Sequence, residues 1–170
     1  FYNKLDGSYD YIMDGTRNLS LQSNFYGVVT NLNYKGKTTK VDFGVSANTY
    51  NRFHYYDSML TDPLNNNEGT KQELSSYLKV SQQFENLVLT LDLQKRYVRF
   101  DYDGNVQLNT INWNFFNPKT GFVYNLTNKS NIYFTIGQSF REPTRTNMFM
   151  FSDNDWLIDG LFNNVKPEKV

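Results

Sequence analysis

The 170-residue sequence has no cysteine, one histidine and four prolines, and its 17 basic side chains are balanced by 17 acidic ones. Without cysteine there is no disulfide scaffold, no thiolate metal site and no cysteine nucleophile. Zero net charge without a basic cluster provides no phosphate-binding surface, so nucleic acid is not an expected partner. No apolar run approaches the roughly 18 residues of a membrane-crossing helix, and no basic segment followed by an apolar one opens the chain. Aromatic residues, by contrast, are plentiful, with 13 Tyr and 14 Phe in an otherwise polar composition. That pairing suits strands in which only alternate residues are apolar and the connections are polar.

The clearest such strand runs from Leu87 to Tyr102. Leu87, Leu89, Leu91 and Leu93 fall on one face, and Thr90, Asp92, Gln94 and Arg96 on the other. Strands of water-soluble domains usually stop after about five or six residues, whereas a tilted strand crossing a bilayer needs about 9 to 11. The same alternation places Tyr26, Val28, Leu32 and Tyr34 together, then Val41, Phe43, Val45 and Ala47, then Leu74, Leu78, Val80 and Phe84. Short turns are expected at Lys35-Gly36-Lys37, Glu85-Asn86 and Asn128-Lys129-Ser130. These patterns predict strands over residues 22–34, 38–50, 71–84, 87–102, 116–127 and 131–141, with long loops over 51–70, 103–114 and 142–170. The expected fold is all-β, an antiparallel transmembrane β-barrel of which about six strands are present. Barrels of this kind have an even strand count of at least about eight, so the remaining wall must come from elsewhere. Leu89, Leu91 and Val45 are expected to face lipid. Two other architectures fit the alternation: a soluble or surface-attached β-sandwich adhesin or carbohydrate-binding module, and a small closed barrel that needs further strands from residues 1–20 and 148–170.

Three blocks carry a family resemblance. They are Asn24-Phe25-Tyr26-Gly27 leading into Leu32-Asn33-Tyr34, then Phe115-Phe116-Asn117-Pro118-Lys119-Thr120-Gly121, and finally Phe140-Arg141-Glu142-Pro143-Thr144-Arg145 with Lys166-Pro167-Glu168 downstream. In order and spacing the chain resembles the TonB-dependent outer-membrane receptors, in particular their Bacteroidetes-type members, although those usually have Ala or Ser where Thr120 stands. The resemblance implies residence in the bacterial outer membrane and a barrel of about 22 strands plugged by its own N-terminal domain. It also implies energy supplied through the TonB complex and uptake of a scarce nutrient, with a ferric siderophore first, haem or cobalamin next. Neither the plug domain nor a TonB box is recognisable in the sequence. The expected partners are therefore outer-membrane lipid, the plug, the TonB complex and a small nutrient such as an iron chelate.

Candidate site residues divide into two groups. The aromatics Tyr50, Phe53, Tyr55, Tyr56, Trp113 and Trp156 sit in the expected long loops, where rings can stack on a ligand or serve the interfacial girdle. Arg141, Glu142 and Arg145 surround Pro143, which cannot donate a ladder hydrogen bond and so must end or bulge the strand. They are expected to face the lumen and touch the plug, or to form a local charge network that fixes the loop. His54 is a lone histidine in a loop with no recognisable carboxylate partner, so no metal site is assigned to it. Asp153-Asn154-Asp155 and Asp101-Tyr102-Asp103-Gly104 miss the calcium-loop spacing and read as turns. No nucleophile, paired carboxylate or phosphate-cradling loop emerges, so neither enzymatic activity nor a cofactor is expected.

Overall fold

The structure is a computed structural model that describes residues 2–13, 17–58, 67–104, 108–144, 148 and 166–170. Seven strands form one antiparallel sheet in which every strand pairs with its neighbours in sequence: β1 (Tyr2–Met13), β2 (Arg17–Lys35), β3 (Thr39–Ser58), β4 (Asn67–Phe84), β5 (Leu87–Asp103), β6 (Ile111–Thr127) and β7 (Ser130–Gly137). Two short strands, β8 (Phe140–Arg141) and β9 (Glu168–Lys169), form a separate pair. A sandwich would need a second layer, and among the described residues nothing covers the apolar face of this sheet.

That apolar face is continuous across the strands because the register aligns like with like. Phe43 stands opposite Leu78, Val41 opposite Val80, Val80 opposite Leu91, and Leu89 opposite Phe122, which pairs in turn with Phe134. Leu89 and Leu91 are each 42% exposed and Val45 is 36% exposed, as expected for side chains that face hydrocarbon. On β5 this face runs from Leu87 to Tyr97, a span matching the 9 to 11 residues of a bilayer crossing, with Lys95 near its upper end as the one charged side chain, long enough to reach toward the interface. Tyr34, Phe84 and Tyr124 border it beside the short turns. A patch this large on a water-soluble domain would be an aggregation surface, whereas lipid covers it without cost.

The structure differs from the sequence expectation at the far ends of the strands. β1 precedes the strands expected, β3 continues to Ser58 and β4 starts at Asn67, so residues 51–58 and 67–70 of the expected 51–70 loop are paired strand. β6 likewise starts at Ile111 rather than near Phe116. Above the lipid band there is no hydrocarbon to impose an apolar face, so the strand continues while its sequence contrast fades. Pro118 lies inside β6 and is tolerated because β7 stops beside it. The last rung between the two strands is Lys119 with Gly137, and the Pro118 carbonyl then accepts the Gln138 N–H at 2.9 Å.

Opposite the apolar face, side chains interlock differently. Tyr77 lies across Gly44 and donates from its hydroxyl to Asn31 Oδ1 at 3.1 Å, which ties β4 over β3 to β2. A Cβ at position 44 would lie 2.3 Å from the Tyr77 ring, so only glycine leaves space for it. Toward the end away from the short turns, Val98, Phe100, Trp113, Phe115 and Met148 form a small buried core.

Candidate functional site

Beyond β7 the chain turns onto this polar face instead of continuing the sheet. Asn117 fixes the departure: its Oδ1 accepts the Phe140 N–H at 2.8 Å and its Nδ2 donates to the Phe140 carbonyl at 3.5 Å, while that same Nδ2 also donates to Gln94 at 3.2 Å. The Phe140 ring stacks on Phe115 at 6.5 Å. β9 then pairs with β8, with Arg141 opposite Glu168 and the two joined by an ion pair. Two of the sequence blocks therefore meet in space: the asparagine of one holds the strand that opens the other. That strand takes its own partner from the Lys-Pro-Glu segment.

Glu142 follows and enters a charge network built by β4 and β5. Lys71 and Glu73 are alternate residues on one face of β4, and the antiparallel register brings Arg96 of β5 beside them. Arg96 donates to both carboxylate oxygens of Glu73, at 3.1 and 3.0 Å, and to Glu142 at 3.3 Å. Ser75 donates to Glu73 at 2.7 Å, and Lys71 pairs with Glu142 directly and with Glu73 at 3.7 Å. The Phe115 ring lies under the Arg96 guanidinium at 5.8 Å, adding a cation–π contact. The side chains of Arg96, Glu73 and Glu142 are only 16–17% exposed.

Above this network lies a cavity of about 460 Å³. Tyr50 and Arg52 of β3 border one side, Phe100 and Trp113 another, and the Arg141 to Thr144 segment closes across. Its chemistry is mixed: cations on the walls, rings and Met148 on the floor, as in sites where a few polar groups orient a ligand against apolar surface.

The candidate residues are distributed as follows. Tyr50, Trp113, Arg141 and Glu142 line the cavity, and Trp113 does so from a buried position in β6 rather than from a loop. Phe53, Tyr55 and Tyr56 lie within β3, also outside any loop. His54 is likewise a strand residue, 1% exposed and opposite Asn67. Trp156 and Arg145 lie outside the described residues. The sequence reading missed Arg52, Lys71 and Glu73, although the β4 alternation that puts Leu74 on the apolar face already sends Lys71 and Glu73 to the other. At the far rim Asp101 accepts from Arg99 at 2.7 and 3.2 Å and from Thr110. The Arg99 guanidinium, then the Thr110 hydroxyl, hold its carboxyl below the usual carboxylate range.

Comparison with known proteins gives a consistent picture. The whole chain, residues 1–170, matches the family described as "TonB dependent receptor-like, beta-barrel". Among solved structures it superposes on the copper transporter OprC with a TM-score of 0.73 at 15% identity, covering 99% of this chain and 31% of that one. The alcaligin outer-membrane receptor FauA of Bordetella pertussis gives 0.64 at 16% identity, with 84% and 25% covered. The ferric yersiniabactin uptake receptor FyuA of Yersinia pestis gives 0.61 at 14% identity, with 83% and 25% covered. The chain thus spans about a quarter to a third of the length of these structures, which share its fold. No curated protein matches it in sequence.

Proposed function

The chain belongs to the TonB-dependent receptor-like β-barrel family, and from that premise we propose that residues 1–170 form part of the wall and outer rim of a receptor that imports a scarce nutrient. Members of this family are outer-membrane barrels that transport rather than catalyse. The observation that carries the proposal is the two-sidedness of the sheet. An uncovered apolar band one bilayer high backs a polar face whose charges converge on a cavity. The apolar face meets lipid and the polar face lines the lumen. A ferric siderophore is the first candidate substrate, with haem and cobalamin next, and the neighbour named for ferric yersiniabactin uptake supports that order. The plug and the TonB complex, supplied outside these residues, would complete the machine.

Fractionation of the full-length gene product tests this. The expected result is an outer-membrane species that requires detergent, changes electrophoretic mobility on heating and restores growth on a scarce iron source. A full-length product that is soluble and folded without detergent overturns it.

A further inference from the structure

The cations around the cavity are not equally satisfied. Lys71 and Arg96 share Glu73 and Glu142, and Arg141 is paired with Glu168. Arg52 lines the same cavity and, among the described residues, has no carboxylate, hydrogen bond or ring as partner. Its register partner on β4 is Gly69, which has no side chain, its partner on β2 is the uncharged Ser23, and Tyr50 lies one rung below on the same face. Four cations therefore face three carboxylates, and the unmatched positive charge is at Arg52.

A partly buried guanidinium with open space before it is a half-made site. It gains most from an anionic oxygen, which it can meet with two parallel N–H donors, whereas an uncharged group offers far less and a cation is repelled. The apolar floor of Phe100, Trp113 and Met148 suits a ligand whose remaining surface is ring-like or aliphatic. We propose that Arg52 is the residue of this cavity that reads negative charge, and that the nutrient received here is an anionic chelate presenting carboxylate or comparably acidic oxygens to it. This inference rests on the import reading above and narrows its substrate class.

The test uses cells that depend on the full-length receptor for iron, supplied in turn with radioactive iron as citrate or tris-catecholate (anionic), uncharged trishydroxamate and cationic hydroxamate chelates, with haem and cobalamin as further substrates. Uptake is expected for anionic compounds. Arg52→Gln is expected to reduce it about tenfold or more, the effect of losing a charge-assisted pair, and Arg52→Lys to retain most of it. Because Arg52 leaves no partner stranded, both variants should reach the outer membrane in the heat-modifiable form, which separates a binding defect from a folding one. Uptake of uncharged or cationic chelates at the anionic rate, or unchanged uptake of anionic ones by Arg52→Gln, overturns the assignment. An outer-membrane receptor that takes up none of these compounds instead removes the import reading, and this inference with it.

Discussion

Arg96 and Glu142, 46 residues apart in the chain, meet at 3.3 Å on the lumen face. The contact ties the inward-turning segment after β7 to the middle of the wall, and it does so through an arginine that already grips Glu73 with two donors. Arg96 thus joins two carboxylates that would otherwise repel each other.

Arg96→Met should leave Glu73 and Glu142 close together with only Lys71 to offset them. The expected loss is about 1 to 3 kcal/mol, below the full cost of a fully buried orphaned charge because water still reaches the group. Denaturant unfolding of the full-length receptor in detergent measures it. The exposed Arg141–Glu168 pair is the internal control, since Arg141→Gln should cost less than about 1 kcal/mol.

Gly44→Ala should displace the Tyr77 ring and break its hydrogen bond to Asn31, a crowding cost of about 1 to 3 kcal/mol. Adding Tyr77→Ala should recover part of that loss, because the clash needs both side chains. A double-mutant cycle that is simply additive would show that the ring does not occupy the space above Gly44.

Charge on the lipid face should cost according to depth. Leu91→Arg, midway along the apolar stretch of β5, is expected to lose about 2 to 4 kcal/mol, and Phe84→Arg beside the short turn about 0 to 1. The fraction of receptor reaching the heat-modifiable form reads the difference, and equal effects at both positions would place the bilayer elsewhere.

Asp101 lies above the lipid band, and its folded carboxyl titrates lower than in the unfolded chain. Its contribution is therefore complete above the unfolded value, about 3.9, and fades as pH falls through the lower folded value. Water surrounds this rim site, so the effect belongs to a titration curve rather than to overall stability. Carbon-detected NMR of the carboxyl should show the depressed midpoint, and Arg99→Gln should bring it back toward the ordinary range.

The wall was legible in the sequence because lipid imposes a sharp rule on it: along β5, from Leu87 to Leu93, every second side chain must be apolar, and that period survives in one dimension. Above the band the rule lapses, which is why His54 and Trp113 read as loop residues although both lie in strands. β1 escaped because in Tyr2–Met13 Asn3 and Gly7 break the row of alternate apolar positions that Leu5, Tyr9 and Tyr11 begin. The charge network was half visible. Arg96 falls on the lumen side by alternation alone, but its meeting with Glu142 depends on the chain folding back after Gly137, and nothing periodic announces that. The Phe-Arg-Glu-Pro and Lys-Pro-Glu blocks were recognisable as words, and their common purpose, a two-stranded clasp, appears only when Arg141 and Glu168 are placed side by side.

Asn117 makes that fold-back possible, since one side-chain amide answers both backbone groups of Phe140 as a neighbouring strand would. The consequence is a natural cut line. The segment that opens at Phe140 can vary while β1 to β7 keep their ladder, so a receptor built this way can change what borders its cavity without renegotiating how it sits in the membrane.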